Sequence, residues 1–288
     1  MIALATSLLA LSSIDPIASP LAEIDLVPGH LPLVEVTLPD LPQRTMVLDT
    51  GAGNSLIFEA ARNSSALTVV GTSQMGAGSD RDQVEADLAR IDQVSIDGYP
   101  LTNIEMTVFD VPGMPSSSMG VLSPTEFANN VLTIDFGNSR LSVFDADYPV
   151  PDSAHSYANS SWELPEYDVK IGDIEFSAVL DSGNPFPVLL PLSWMDRFEI
   201  IGEPEIVNQV QLVDGVAYVY RVNLVTPLEL GIYRIPGIPV YFIEGQQQAN
   251  IGSGILSSFV VGMDIPNERV WLEPSSIAQT GHANQTRP

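Results

Sequence analysis

The stretch MVLDTGAGNS (46–55) sets three apolar residues, Met46, Val47 and Leu48, directly before an acid, Asp49, and follows it with Thr50 and Gly51. A carboxylate at the end of a buried strand loses its hydration, and that is costly unless neighbouring groups compensate. Taken alone, such an Asp reads as a strand-end turn. The chain, however, writes the pattern twice. In AVLDSGNPFP (178–187), Ala178, Val179 and Leu180 lead into Asp181, Ser182 and Gly183.

Further blocks repeat in the same order. Gly120-Val121-Leu122-Ser123 matches Gly254-Ile255-Leu256-Ser257, and NIEMTVFD (103–110) matches GIPVYFIE (237–244). Asp135, Asn138, Arg140 and Leu141 match Asp264, Asn267, Arg269 and Val270. The offset is nearly constant and far too long for a solenoid, so the chain reads as a duplication of one lobe. Its expected organisation is an N-terminal segment (1–24), a first lobe (25–150), a linker (151–161), a second lobe (162–275) and a loose tail (276–288). Asp135 and Asp264 are expected to be structural turn residues, paired to Arg140 and Arg269.

Local patterns agree on strands. LPLVEVTLP (31–39) alternates and ends at a Pro-Asp turn, and VQLVDGVAYVYRV (210–222) sets Asp214-Gly215 between two alternating runs, a hairpin signal. Short helical turns are expected at 56–63 and 190–198. The fold expected is all-β, with two pseudo-symmetric β-barrel-like lobes and a cleft between them.

Composition narrows the function. The net charge is -25, with Lys170 the only lysine, and such a surface repels phosphates. Nucleic acid is therefore excluded as a partner. There are no cysteines, so disulfides, thiolate metal sites and a cysteine nucleophile are impossible. The three histidines, His30, His155 and His282, stand apart, and no metal-ligand spacing occurs. No metal and no cofactor are expected. The apolar run MIALATSLLALSS (1–13) ends at Asp15-Pro16, too short to span a bilayer, and reads as a signal peptide of a secreted or periplasmic protein. No later segment has the length of a membrane span.

Two aspartates brought together across the lobe interface would share one proton, because two adjacent carboxylates cannot both ionise cheaply. The ionised member could take a proton from a water while the protonated member polarises a carbonyl. Gly51 and Gly183 would let the backbone turn and bring its N–H groups near the acids. The Thr50 and Ser182 hydroxyls would tie the two turns together. One copy is then half a site.

These two Asp-[Thr/Ser]-Gly turns, each followed some way on by Gly-apolar-apolar (Gly120-Val121-Leu122 and Gly254-Ile255-Leu256), resemble the pepsin-like and retropepsin-like aspartic peptidases. The resemblance covers both lobes. It implies Asp49 and Asp181 as catalytic dyad, Thr50, Gly51, Ser182 and Gly183 as its support, and a strand carrying Gly-apolar-apolar behind each catalytic turn. It also implies a β-hairpin flap, placed here at QMGAGSDR (74–81) with Met75, Gly76 and Gly78, and a pseudo-symmetric partner hairpin around Asp214 whose Tyr218 and Tyr220 would line the cleft. The expected activity is that of a monomeric aspartic endopeptidase acting on peptide or protein substrates. The alternative is an inactive pepsin-like protein that binds a peptide or other ligand, because Asn184-Pro185-Phe186-Pro187 follows the second turn where Ala52 follows the first.

Overall fold

The computed structural model describes residues 19–27, 31–75, 84–157, 164–212 and 215–276. The apolar N-terminal run, the flap tip with Gly76 and Gly78, the hairpin residue Asp214 and most of the tail lie outside the described residues. The first repeat comprises β1 (Ala22–Val27), β2 (Leu33–Thr37), β3 (Arg44–Leu48), β4 (Leu56–Ile57), β5 (Leu67–Met75), β6 (Val84–Ile96), β7 (Tyr99–Val108), β8 (Ser118–Leu122), β9 (Asn130–Asp135) and β10 (Arg140–Asp145). The second comprises β11 (His155–Ser156), β12 (Glu166–Ile171), β13 (Ile174–Asp181), β14 (Val188–Pro191), β15 (Ile200–Leu212), β16 (Gly215–Leu224), β17 (Leu228–Leu230), β18 (Tyr233–Ile235), β19 (Pro239–Ile243), β20 (Ala249–Gly252), β21 (Phe259–Asp264) and β22 (Arg269–Pro274). Short 3-10 turns at Glu59–Ala61 and Leu192–Arg197 fall where helical turns were expected. A third, Pro124–Phe127, and the four-residue helix α1 (Ser253–Leu256) follow β8 and β20.

Strands form because apolar residues fall on alternate positions, so that one face can be buried. In β1, for example, Ile24 and Leu26 are buried while Glu23 and Asp25 face outward. The two lobes then use the same strand order. In the first it is β2-β3-β8-β4-β7-β6, closed into a six-stranded barrel by β6 returning to β2, with Val36 opposite Ile96. In the second it is β12-β13-β20-β14-β19-β16, which stays a half-barrel. The reason is local. After Leu224 the chain turns into β17, which takes the edge of β12 with Leu228 opposite Ile171, and so blocks closure.

The first lobe's sheet continues through β1 and joins the repeats in the order β1-β10-β9-β21-β22-β11. At its centre β9 and β21 run antiparallel with Thr133 opposite Gly262; the flanking pairs Asp135–Val260 and Val131–Asp264 are exchanged by the repeat. The duplication is thus visible in the register itself. Its contents differ, however. Thr133 stands opposite Ser142 on β10, whereas Gly262 stands opposite Trp271 on β22. A Cβ at Gly262 would overlap the Trp271 ring, which is buried. Gly262→Val is therefore expected to cost about 1–3 kcal/mol by overpacking, read as a lower denaturation midpoint; an unchanged midpoint would refute this packing account.

Within the segment expected to link the lobes, His155–Ser156 forms β11 against β22, and Val150 and Ala154 pack on a cluster of Val131, Phe144 and Trp271. Contrary to the expectation from the sequence, Asp135 and Asp264 are not paired to Arg140 and Arg269. Each accepts hydrogen bonds from the backbone N–H and side-chain amide of the Asn three residues on. Arg140 instead reaches Glu23 at 2.7 Å, and Arg269 donates to the Ala154 carbonyl. A short Asx turn satisfies the acid locally, which leaves the longer arginine free to bridge neighbouring strands.

Candidate active site

Both acids sit where a buried strand ends. Met46, Val47 and Leu48 of β3 are buried before Asp49, as are Ala178, Val179 and Leu180 of β13 before Asp181. A parallel strand runs behind each, β8 beside β3 and β20 beside β13. Across the lobe interface the Thr50 N–H donates to Ser182 Oγ at 3.0 Å and the Ser182 N–H to Thr50 Oγ1 at 3.0 Å. The Ser182 hydroxyl donates to the Leu48 carbonyl at 2.6 Å, and the Thr50 hydroxyl to the Leu180 carbonyl. Each hydroxyl therefore accepts one N–H and donates to one C=O of the other lobe. All of it is buried.

This reciprocal set brings the two carboxyl groups together at the lobe interface, on one cavity and each against the glycine of the opposite turn. Asp49 Oδ1 accepts from the Gly51 N–H at 2.8 Å and from the Gly183 N–H at 3.3 Å. The glycines owe their place to close approach rather than to an unusual backbone angle. A Cβ at Gly51 would lie 2.6 Å from Asp181 Cγ, and one at Gly183 would lie closer still to the Asp49 carboxylate. Neither residue has a positive φ. Each glycine thus makes room for the acid of the opposite lobe.

Burial raises the pKa of both acids. In Asp49 the donors from Gly51 and Gly183 work against burial. In Asp181 burial is reinforced by the neighbouring Asp49 charge, so its pKa stands well above the ordinary value. The pair therefore retains a proton above the usual carboxylate range, and that titration belongs to the two acids together.

The dyad forms the floor of a cavity of about 560 Å³. Gln74 and Met75 from the end of β5 and Val210 from β15 contribute its upper walls, so hairpins of both lobes border it. Phe186, Leu189 and Ile243 make an apolar wall on the second lobe. Apart from the dyad, no charged side chain lines this cavity among the described residues.

Met75 lines the cavity, whereas Tyr218 and Tyr220 do not. Ala217 and Val219 of β16 are buried in the cluster with Leu189 and Ile243, so strand alternation turns the tyrosines to the opposite face. Tyr220 packs on the main core and Tyr218 is exposed.

The strand behind Asp181 also differs from expectation. Gly254, Ile255 and Leu256 lie on α1, and the strand itself is Ala249–Gly252. Against β13, Asn250 stands opposite Val179, as Val121 stands opposite Val47 in the first lobe. Asn250 donates from Nδ2 to Asp181 Oδ2. Sequence reading missed it because a search for an apolar run passes over an Asn. The offset set by Asp135 and Asp264, carried back from Val121, lands on Asn250 and would have found it. Asn184, the unusual residue after the second turn, is buried at the cavity: its Oδ1 accepts the Phe186 N–H at 2.9 Å and its carbonyl accepts the Ser253 N–H at 2.8 Å, while its Nδ2 has no hydrogen-bond partner among the described residues.

No group of three or more His, Cys, Asp or Glu that could hold a metal occurs among the described residues. A family model described as aspartyl protease matches residues 34–125 and 167–265. The chain belongs to the aspartyl protease family. No curated protein matched it. Each matched segment of this aspartyl protease carries one of the two acids, Asp49 in the first and Asp181 in the second. No helix among the described residues is long and apolar enough to cross a membrane.

Proposed function

We propose that this aspartyl protease is an endopeptidase in which Asp49 is the base and Asp181 the acid of a water-adding reaction. The observation that carries this reading is the contact of the two carboxyl groups on the cavity floor, held by the reciprocal Thr50–Ser182 hydrogen bonds. An extended peptide lies across the cavity with its scissile carbonyl over the pair. Ionised Asp49 takes a proton from a water whose oxygen attacks the carbonyl carbon, and Asp181 gives its proton to the carbonyl oxygen. The tetrahedral intermediate is neutral and not bonded to the protein. The proton held on Asp49 then passes to the amide nitrogen and the C–N bond breaks. Asp181 recovers a proton from the collapsing diol, leaving an acid, an amine and the starting dyad. Both half-sites come from one chain, so no second copy is needed to complete the pair.

The test is incubation of the full chain with a mixed peptide library from pH 3 to pH 7, with products read by mass spectrometry. Internal cuts appearing in acid and fading as the second proton leaves the dyad are the expected result. A folded protein that leaves every peptide intact across that range would overturn the reading.

A further inference from the structure

The two-fold symmetry of the dyad is broken on the strand behind each acid. At the register point behind each acid, the first lobe has Val121, buried and without a donor, and the second has Asn250. Asp49 accordingly accepts from the backbone N–H groups of Gly51 and Gly183, whereas Asp181 receives a side-chain amide on Oδ2. The amide is itself oriented: Gln246 Nε2 donates to Asn250 Oδ1 at 3.3 Å and to the Gln248 carbonyl at 2.9 Å. With its oxygen engaged by Gln246, the Asn250 side chain can present only Nδ2 to Asp181. Gln248 in turn donates to Glu166, which also accepts from Ser177 at 2.8 Å.

We infer, on the peptidase reading above, that Asn250 is a positioning residue that fixes which oxygen of Asp181 carries the acid's proton. An amide N–H donates more favourably to the carbonyl oxygen of a carboxylic acid than to its hydroxyl oxygen, which is the poorer acceptor. Oδ2 is therefore the carbonyl-like oxygen of the protonated group, and the proton sits on Oδ1. The site a Cβ would occupy on Gly51 lies 2.8 Å from that Oδ1, so Oδ1 is turned toward the first-lobe turn that carries Asp49. The proton faces the partner acid and the water between them, where the reaction uses it. Without the amide, either oxygen of Asp181 could hold the proton, and only one arrangement would be productive.

The groups that face Asp181 are few. From the β3 turn comes Asp49, the one titratable neighbour among the described residues; from β20 comes uncharged Asn250; from its own turn comes uncharged Asn184. Glu166 on β12 communicates with this corner only through Gln248. Donation from Asn250 also favours the ionised form of Asp181. Its loss should therefore raise the pH at which the dyad gives up its second proton.

The test uses the full chain and two variants, Asn250→Val, which installs the residue found at the equivalent point of the first lobe, and Gln246→Met, which releases the amide without touching Asp181. In Asn250→Val, kcat is expected to fall about tenfold with KM little changed, and the alkaline limb of the pH profile to move up by about one pH unit. Gln246→Met should move the limb the same way by less. A merely structural role would lower the rate without moving the limb. The titration of the dyad is followed separately by 13C NMR of its carboxyl carbons, which needs no substrate. A raised second titration step in Asn250→Val supports the assignment even if the wild type cuts no peptide, in which case the peptidase reading alone fails. An unchanged titration in a folded Asn250→Val overturns the assignment. If that variant does not fold, an unchanged titration in Gln246→Met overturns it.

Discussion

Asp49→Asn and Asp181→Asn will each abolish peptide cleavage, by about 10³-fold or more, and each will make the protein more stable at neutral pH. The first effect follows because one acid supplies the base and the other the proton, and acid–base groups of this kind contribute about 10² to 10⁴ each. The second follows from linkage. Both acids have pKa values raised by burial, Asp181 also by the Asp49 charge. A carboxyl whose folded pKa exceeds its unfolded one contributes stability that is fully present below the unfolded pKa, about 3.9. That contribution is lost as pH rises through the folded pKa. At pH 7 the wild-type pair is thus being forced toward two adjacent buried charges, and an Asn at either position relieves it. A unit of pKa is worth about 1.4 kcal/mol, and in chains of this size class each kcal/mol moves the melting temperature by about 2–4 °C. Calorimetry at pH 7 and pH 3.5 should show the variants melting above wild type at pH 7, with the gap closing in acid. Variants that keep their activity, or that are destabilised equally at both pH values, would refute the shared-proton arrangement.

The second large effect concerns the bonds between the turns. Ser182→Ala removes an acceptor for the Thr50 N–H and a donor for the Leu48 carbonyl, and leaves both groups buried. Each unpaired group costs about 1–3 kcal/mol, so a loss of about 2–4 kcal/mol is expected in chemical denaturation. Thr50→Val has the mirror-image effect on the Ser182 N–H and the Leu180 carbonyl. Since the two hydroxyls belong to one reciprocal set, the double variant should lose distinctly less than the sum of the singles. Thr50→Ser keeps the hydroxyl and should retain most of the stability. Simple additivity, or a Thr50→Ser variant as damaged as Thr50→Val, would show that the hydroxyls do not act as a unit.

Much of this was legible in the sequence because duplication doubles every signal. A single Asp-Thr-Gly is a turn; a second at the same point of a repeat implies a pair. The blocks around Asp135 and Asp264, and those at 103–110 and 237–244, fall on equivalent strands of the two lobes. Legibility failed where function departs from the repeat. The search for an apolar run slid from β20 onto α1 because Asn250 replaces the apolar residue that packing alone would favour. Tyr218 and Tyr220 were drawn to the cleft by residue type, yet the period of two in β16 gives the cleft side to Ala217 and Val219. Closure of only the first barrel was hidden as well. It depends on which strand reaches the free edge of β12 first, and β17 is separated from β16 by only a few residues.

The exchange of bulk at the central sheet has a historical meaning. A register that maps onto itself is what two identical copies would need in order to associate, and β9 against β21 still has that register. Two second repeats meeting there today would set Gly262 against Gly262 and drive two indole rings toward the same axis from opposite sides. The fused halves have each adapted to an unlike neighbour. Separated halves are therefore expected not to pair with copies of themselves through this sheet.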